Sequence, residues 1–227
     1  MPSTSEKGHA KNVDNFSTLI EVCKGFGVKY NPSKTAIKVA NLTTKLTQSK
    51  QQLQDVKDKE QAESTARNNR ADAFKNKGTF STKLLSAIKA TDATDQTIAD
   101  ATSINKKIQG ERLTAGKKAT PVAEGTTTAD PKTISTSQLS YTNIVDHYKK
   151  YKTLLTSIAT IYTPNETELQ TAAVSTYITN LETLNNTVDI AATAASNALI
   201  ARDNGIYADK TGIPDLAQDV KDCLVLK

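Results

Sequence analysis

Slid along itself by 132 positions, the chain lays residues 3–95 over residues 135–227 without a gap. STSEKGHAKNVDNF at 3–16 meets STSQLSYTNIVDHY at 135–148. There are 19 identities in the 93 aligned positions. A chain of this composition gives about eight by chance, so a fixed internal period is the first thing to explain. Identities include Val13, Asp14, Tyr30, Pro32, Thr35, Ala40, Thr44, Arg70 and Leu84. Apolar positions correspond beyond identity. Phe16, Leu19, Val22, Cys23 and Phe26 fall over Tyr148, Tyr151, Leu154, Leu155 and Ile158. The overlay predicts a tandem duplication, with one helical repeat over 1–110, a linker over 111–134 and a second repeat over 135–227.

Each repeat reads as a short helix, a long helix and a short returning helix. Val13, Phe16, Leu19, Ile20, Val22, Cys23 and Phe26 recur at spacings of three and four, which predicts a helix over about 10–28. Gly25 and Gly27 weaken its end. Asn31 is a favoured N-cap, and Pro32 suits a first helical position because its missing N–H loses nothing there. The second repeat writes Thr163-Pro164-Asn165-Glu166 at the same register, a capping-box pattern. Asn31, Pro32, Thr163, Pro164 and Glu166 are therefore the expected starts of two long helices. The first runs from 32 to 77 with no further Gly or Pro, about 69 Å at 1.5 Å per residue. Its seam is Val39, Leu42, Leu46, Leu53 and Val56, interrupted by Ser49 and thinning to Ala62 and Ala66. The copy, 164–210, carries Leu169, Ala173, Tyr177, Leu181, Leu184, Val188, Ala192, Ala195 and Leu199. Gly78 is the expected end of one and Thr211-Gly212-Ile213-Pro214 of the other. Short helices follow at about 80–91 and 214–226. Repeat one adds another at about 94–109, with Ile98, Ala101 and Ile104.

Apolar residues make up 37% of the chain, aromatics 5%, and there is no Trp. Large side chains supply most buried area, so a thick core is not expected. The fold class that fits is all-α: an elongated helical bundle built from two repeats, each with a long helix of about 45 residues. The linker is rich in Thr, Gly, Pro and Ala. Extended, its roughly 25 residues reach about 80 Å, enough for the two repeats to lie side by side.

Charge divides unevenly. Residues 1–112 carry 19 Lys and Arg against 12 Asp and Glu, and residues 113–227 carry 10 against 12. Attraction between a basic and a weakly acidic half, within the chain or head-to-tail between chains, is one consequence. Nucleic acid is not an expected partner: acids intersperse the lysines, as in QDVKDKE at 54–60, and no aromatic interleaves a basic patch. No run approaches membrane-spanning length, and Asn197 and two Thr interrupt the richest apolar stretch, 190–201. No Sec-type signal is visible at the start, which makes the cytoplasm the default compartment and leaves signal-less export open.

Chemistry-bearing motifs are scarce. His9 and His147 do not correspond under the repeat, and neither has a ligand-spaced partner, so no metal is expected. His147 reads as a surface or half-buried side chain. GFG at 25–27 lacks the lysine and preceding strand of a phosphate loop. Asp14 and Asp146 read as first-turn residues, and Glu166 and Glu168 as acids favoured by a helix N-terminus. Cys23 and Cys223 fall on apolar helical positions and read as small buried hydrophobes, with a single bridge between them as the alternative. No catalytic residue and no cofactor is expected.

GHAKNVDNF, YNPSKTAIK and INKKIQG together resemble an uncharacterised family of tandem-duplicated all-α proteins from Bacteroidetes-type bacteria. The resemblance covers most of repeat one and, more loosely, repeat two. It implies a further helix after repeat two, matching 96–109, that is lacking here or supplied by a partner. It brings no catalytic or binding residues with it. The functional expectation is a non-enzymatic, self-assembling structural protein of a filament, array or particle, its partner another copy. The alternatives are a monomeric helical adaptor or effector that binds another protein, and an α-helical pore-forming toxin. The toxin reading needs an inserting apolar segment, and 190–201 is short and polar for that.

Overall fold

The computed structural model describes residues 4–111 and 138–225, and the side chains of residues 4–7 lie outside that description. The linker expected at 111–134 falls almost wholly outside the described residues. Within them the chain forms seven α-helices and no strand. These are α1 (Thr4–Gly25), α2 (Val39–Phe74), α3 (Lys77–Lys89), α4 (Asp95–Gln109), α5 (Tyr141–Ser157), α6 (Thr171–Ile206) and α7 (Ile213–Val225), so the protein is an all-α helical bundle.

The long helices α2 and α6 are each 36 residues and start 132 positions apart. They begin seven residues after Pro32 and Pro164, which corrects the expected starts. Between lies a turn with a short 3-10 segment, Thr35–Ile37 in one place and Thr167–Leu169 in the other. Lys34 and Lys38 have extended backbone, as do Glu166 and Gln170. The turn is fixed from below. Tyr30 donates its hydroxyl proton to the Ile37 carbonyl at 2.7 Å, and Tyr162 donates to the Leu169 carbonyl at 2.8 Å. Pro32 is buried under this turn, whereas Asn31, Thr163 and Glu166 are exposed and Pro164 is half-buried. Glu166 makes no side-chain capping bond.

Both long helices also end earlier than expected, at Phe74 and Ile206. Gly78 lies in the first turn of α3, where Gln109 of α4 donates to its carbonyl at 2.9 Å. Gly212 stands immediately before α7, at a place where a Cβ would lie 2.7 Å from the Ala208 carbonyl oxygen. The apolar seams hold in part: Val39, Leu46 and Leu53 on α2 and Ala173, Tyr177, Leu184, Ala192 and Leu199 on α6 are only half-buried. Leu42, Ser49, Val56 and Ala66 are buried on α2, and Val174, Ile178, Leu181, Val188 and Ala195 on α6. Ala62 is exposed.

The chain divides into two compact units, residues 1–66 with 189–227, and residues 67–188. Both cut across the halves 1–110 and 135–227. The first unit packs α1, the start of α2, the end of α6 and α7. Its core is Val13, Phe16, Ile20, Cys23, Tyr30, Ile37, Leu42, Ile206, Ile213, Leu216 and Val220. The second unit packs the end of α2, α3, α4, α5 and the start of α6. Its core includes Phe74, Leu84, Ile88, Ala101, Ile108, Tyr148, Tyr151, Leu155, Leu169 and Val174. In each unit the front of one half therefore meets the back of the other.

Candidate functional site

Polar side chains gather in the first unit where α1 meets the end of α6. His9 Nδ1 and the Tyr207 hydroxyl share a hydrogen bond of 2.8 Å, and Asn12 donates to the same hydroxyl at 3.0 Å. His9 Nε2 stands 3.9 Å from the Asp203 carboxylate, which accepts from Arg202 Nε at 3.0 Å. Asp203, His9 and Tyr207 thus form a short polar line. Its chemistry is that of a clamp, because it joins α1 to the end of α6 through His9 and Tyr207, 198 residues apart in the chain. Nothing in the spacing of His9 announces this contact. The corresponding place in the second unit is aromatic: Arg70 lies 4.1 Å from the Tyr141 ring centroid, and Phe74 meets Tyr141 edge-on at 4.8 Å.

The remaining candidates are placed apart. Asp14 is exposed in the third turn of α1, and Asp146 is exposed in the second turn of α5, so neither is a first-turn residue. The reason is that α1 starts at Thr4, well before the apolar stripe begins. Glu168 pairs with Lys83 at 2.7 Å. Cys23 and Cys223 are both free, the first buried and the second half-buried against the same core. Burial pushes the Cys23 thiol up. Among the described residues no group of three or more His, Cys, Asp and Glu could hold a metal ion, and no helix is long and apolar enough to cross a membrane. A cleft of about 500 Å³ in the second unit is bordered by Lys75, Lys77, Lys83 and Gln109, and it brings together none of the expected residues.

Two helices at equivalent register are treated differently, and here a usable surface appears. On α5 the positions 147, 151, 154 and 158 form one stripe. His147 and Tyr151 on it are buried, and Leu154 and Ile158 pack against the core. The cover is α4, which packs on α5 and on α3. Tyr151 donates to the Ala101 carbonyl of α4 at 3.0 Å. The same stripe on α1 is Asn15, Leu19, Val22 and Phe26. Asn15 is exposed, Val22 is 45% exposed, Phe26 43%, and Val28 just beyond is 98% exposed. The 3.6-residue period predicts Val22 and Phe26 as core, yet the described residues of the first unit include no helix equivalent to α4, and both side chains are exposed. Gly27, at φ +54°, turns the chain so that Val28 stands in solvent.

His147 is the second departure from the sequence reading. It is only 3% exposed, and neither ring nitrogen has a hydrogen-bond partner. Burial holds its pKa below the ordinary value, helped by the Lys150 and Lys107 ammonium groups and opposed by Asp146. The buried tyrosines move the other way. Burial raises Tyr151 and Tyr162 to about 12 each.

No protein-family model, curated protein or solved structure matches this chain, so the functional reading rests on its own residues.

Proposed function

We propose that this protein is a non-enzymatic structural component, built by tandem duplication, that self-associates through the open stripe of α1. The observation that carries the reading is the exposure of Val22 and Phe26 at a register where Leu154 and Ile158 pack against a core, with Val28 exposed just beyond them. Adjacent exposed apolar side chains on one face favour a contact that removes them from water. The occupant is a second copy. The unit bearing the stripe has 14 Lys and Arg against 13 Asp and Glu, so two copies approach with little mutual repulsion. Opposite charges of the two halves are already engaged inside the units, as in Lys34 with Asp219 and Lys83 with Glu168. That leaves apolar contact as the main term for association.

The second reading is an adaptor that binds another protein. It is favoured by α4 itself, because an amphipathic helix is what covers the matching stripe on α5. Light scattering after gel filtration, on the wild type and on Phe26→Asp with Val22→Lys, separates the two. Self-association predicts a mass that is a multiple of 24.4 kDa, falling to the monomer in the double variant with helical circular dichroism unchanged. A clean wild-type monomer at high concentration and low salt removes the self-association reading and leaves the adaptor.

A further inference from the structure

We propose that α4 is an acid-released clasp, held on α5 only while His147 is neutral. The geometry begins with the burial of His147 in the second unit. Its counterpart 132 positions earlier, Asn15 on α1, is exposed where no such helix packs. A neutral imidazole leaves one N–H and one lone pair unmatched in this place. An imidazolium leaves two N–H donors unmatched and adds a buried charge, which is far more costly. The charged groups that act on the ring are Lys107 from α4 and Lys150 and Asp146 from its own helix. Two positive groups against one negative make the seat a poor host for a cation.

The direction of the effect follows from linkage. The closed seat disfavours the proton, so His147 binds it more readily when α4 is off. The stability of the seat is complete above the ordinary histidine pKa of 6.5 and is lost as pH falls towards the lowered value. The other ties of α4 do not titrate in this window: Ser81 donates to Asn105 at 2.7 Å, and Gln109 donates to Gly78 and Thr82. Release uncovers Tyr151 and the α4 residues Ala101 and Ile108, a new apolar face beside the α5 stripe.

The test is hydrogen exchange of the full chain read by mass spectrometry at pH 7.5 and pH 5.5, corrected for intrinsic exchange rates. Protection of α4 amides is expected to fall at pH 5.5, by at most about tenfold because one pH unit below 6.5 allows one decade, while α7 keeps its protection. His147→Phe is expected to abolish the drop. Lys107→Met removes one of the ammonium groups that disfavour the proton in the closed seat, so it is expected to make the drop smaller, and it serves where His147→Phe does not fold. Equal α4 protection at both pH values overturns the proposal. So does an equal loss in α7, a drop that persists in His147→Phe, or a drop as large in Lys107→Met as in the wild type.

Discussion

Tyr30 and Tyr162 perform one task in two places. Each ring is buried, and each hydroxyl reaches seven residues along the chain to a carbonyl that closes a turn. Removing the hydroxyl leaves a buried acceptor without its donor, which costs about 1–2 kcal/mol. Tyr30→Phe and Tyr162→Phe are each expected to lower stability by that amount, measured by urea unfolding, and both long-helix starts lose the same anchor. Threonine, abundant here, is reconciled with helix in a similarly local way. Thr176, Thr179, Thr183, Thr187 and Thr193 on α6 all return their hydroxyls to the carbonyl four residues earlier. Gln51, Gln54, Gln96 and Gln218 each donate to an Asp four residues on, a spacing readable directly from the sequence. Ser49 is the opposite case. It lies in the apolar seam with its hydroxyl buried and unpartnered, where the equivalent position is Leu181.

At the scale of the element, identity and periodicity were legible, and boundaries less so. The expected short helices at 80–91, 94–109 and 214–226 lie within a few residues of α3, α4 and α7. The expected starts at Pro32 and Pro164 failed because Asn-Pro and Thr-Pro suit a turn as well as a helix start. Only the buried tyrosine beneath each turn decides between them. Working caps sit elsewhere. Thr94 accepts from the Thr97 N–H at 3.2 Å, and Ser140 accepts from the Asn143 N–H at 3.1 Å. Thr94→Ala and Ser140→Ala are each expected to cost about 1 kcal/mol of stability, read by thermal or urea unfolding. Gly110 closes α4 at φ +79°, a left-handed conformation in which any side chain is strained.

At the scale of the whole chain, pairing across the halves changes what the charge division means. Residues 67–188 carry 15 Lys and Arg against 11 Asp and Glu, so both units are mildly positive and neither inherits the excess of one half. Each unit also needs both halves to complete its core. Without Ile206, Ile213, Leu216 and Val220, the α1 stripe keeps only Tyr30, Ile37 and Leu42 of its buried partners. Fragments 1–110 and 135–227 are therefore expected to be poorly helical alone and to regain helicity when mixed. Circular dichroism of each fragment and of their mixture checks this, and a fully helical, monomeric 1–110 would contradict it.

The sequence by itself determined which segments are helical, their common register, and which faces are apolar. Those properties depend on spacings of three and four residues and on turn chemistry, all of which act locally. Tertiary structure decided which faces meet. Apolar burial has no direction of its own, so the stripes of the two halves are interchangeable as far as spacing can tell. Only packing put Ile206 with Phe16 in one core and Phe74 with Tyr148 in the other. Leu154 and Ile158, in the unit that contains α4, pack against a core, whereas Val22 and Phe26 stay open. His147, expected at the surface or half-buried, is buried without a partner on α5, the helix against which α4 packs.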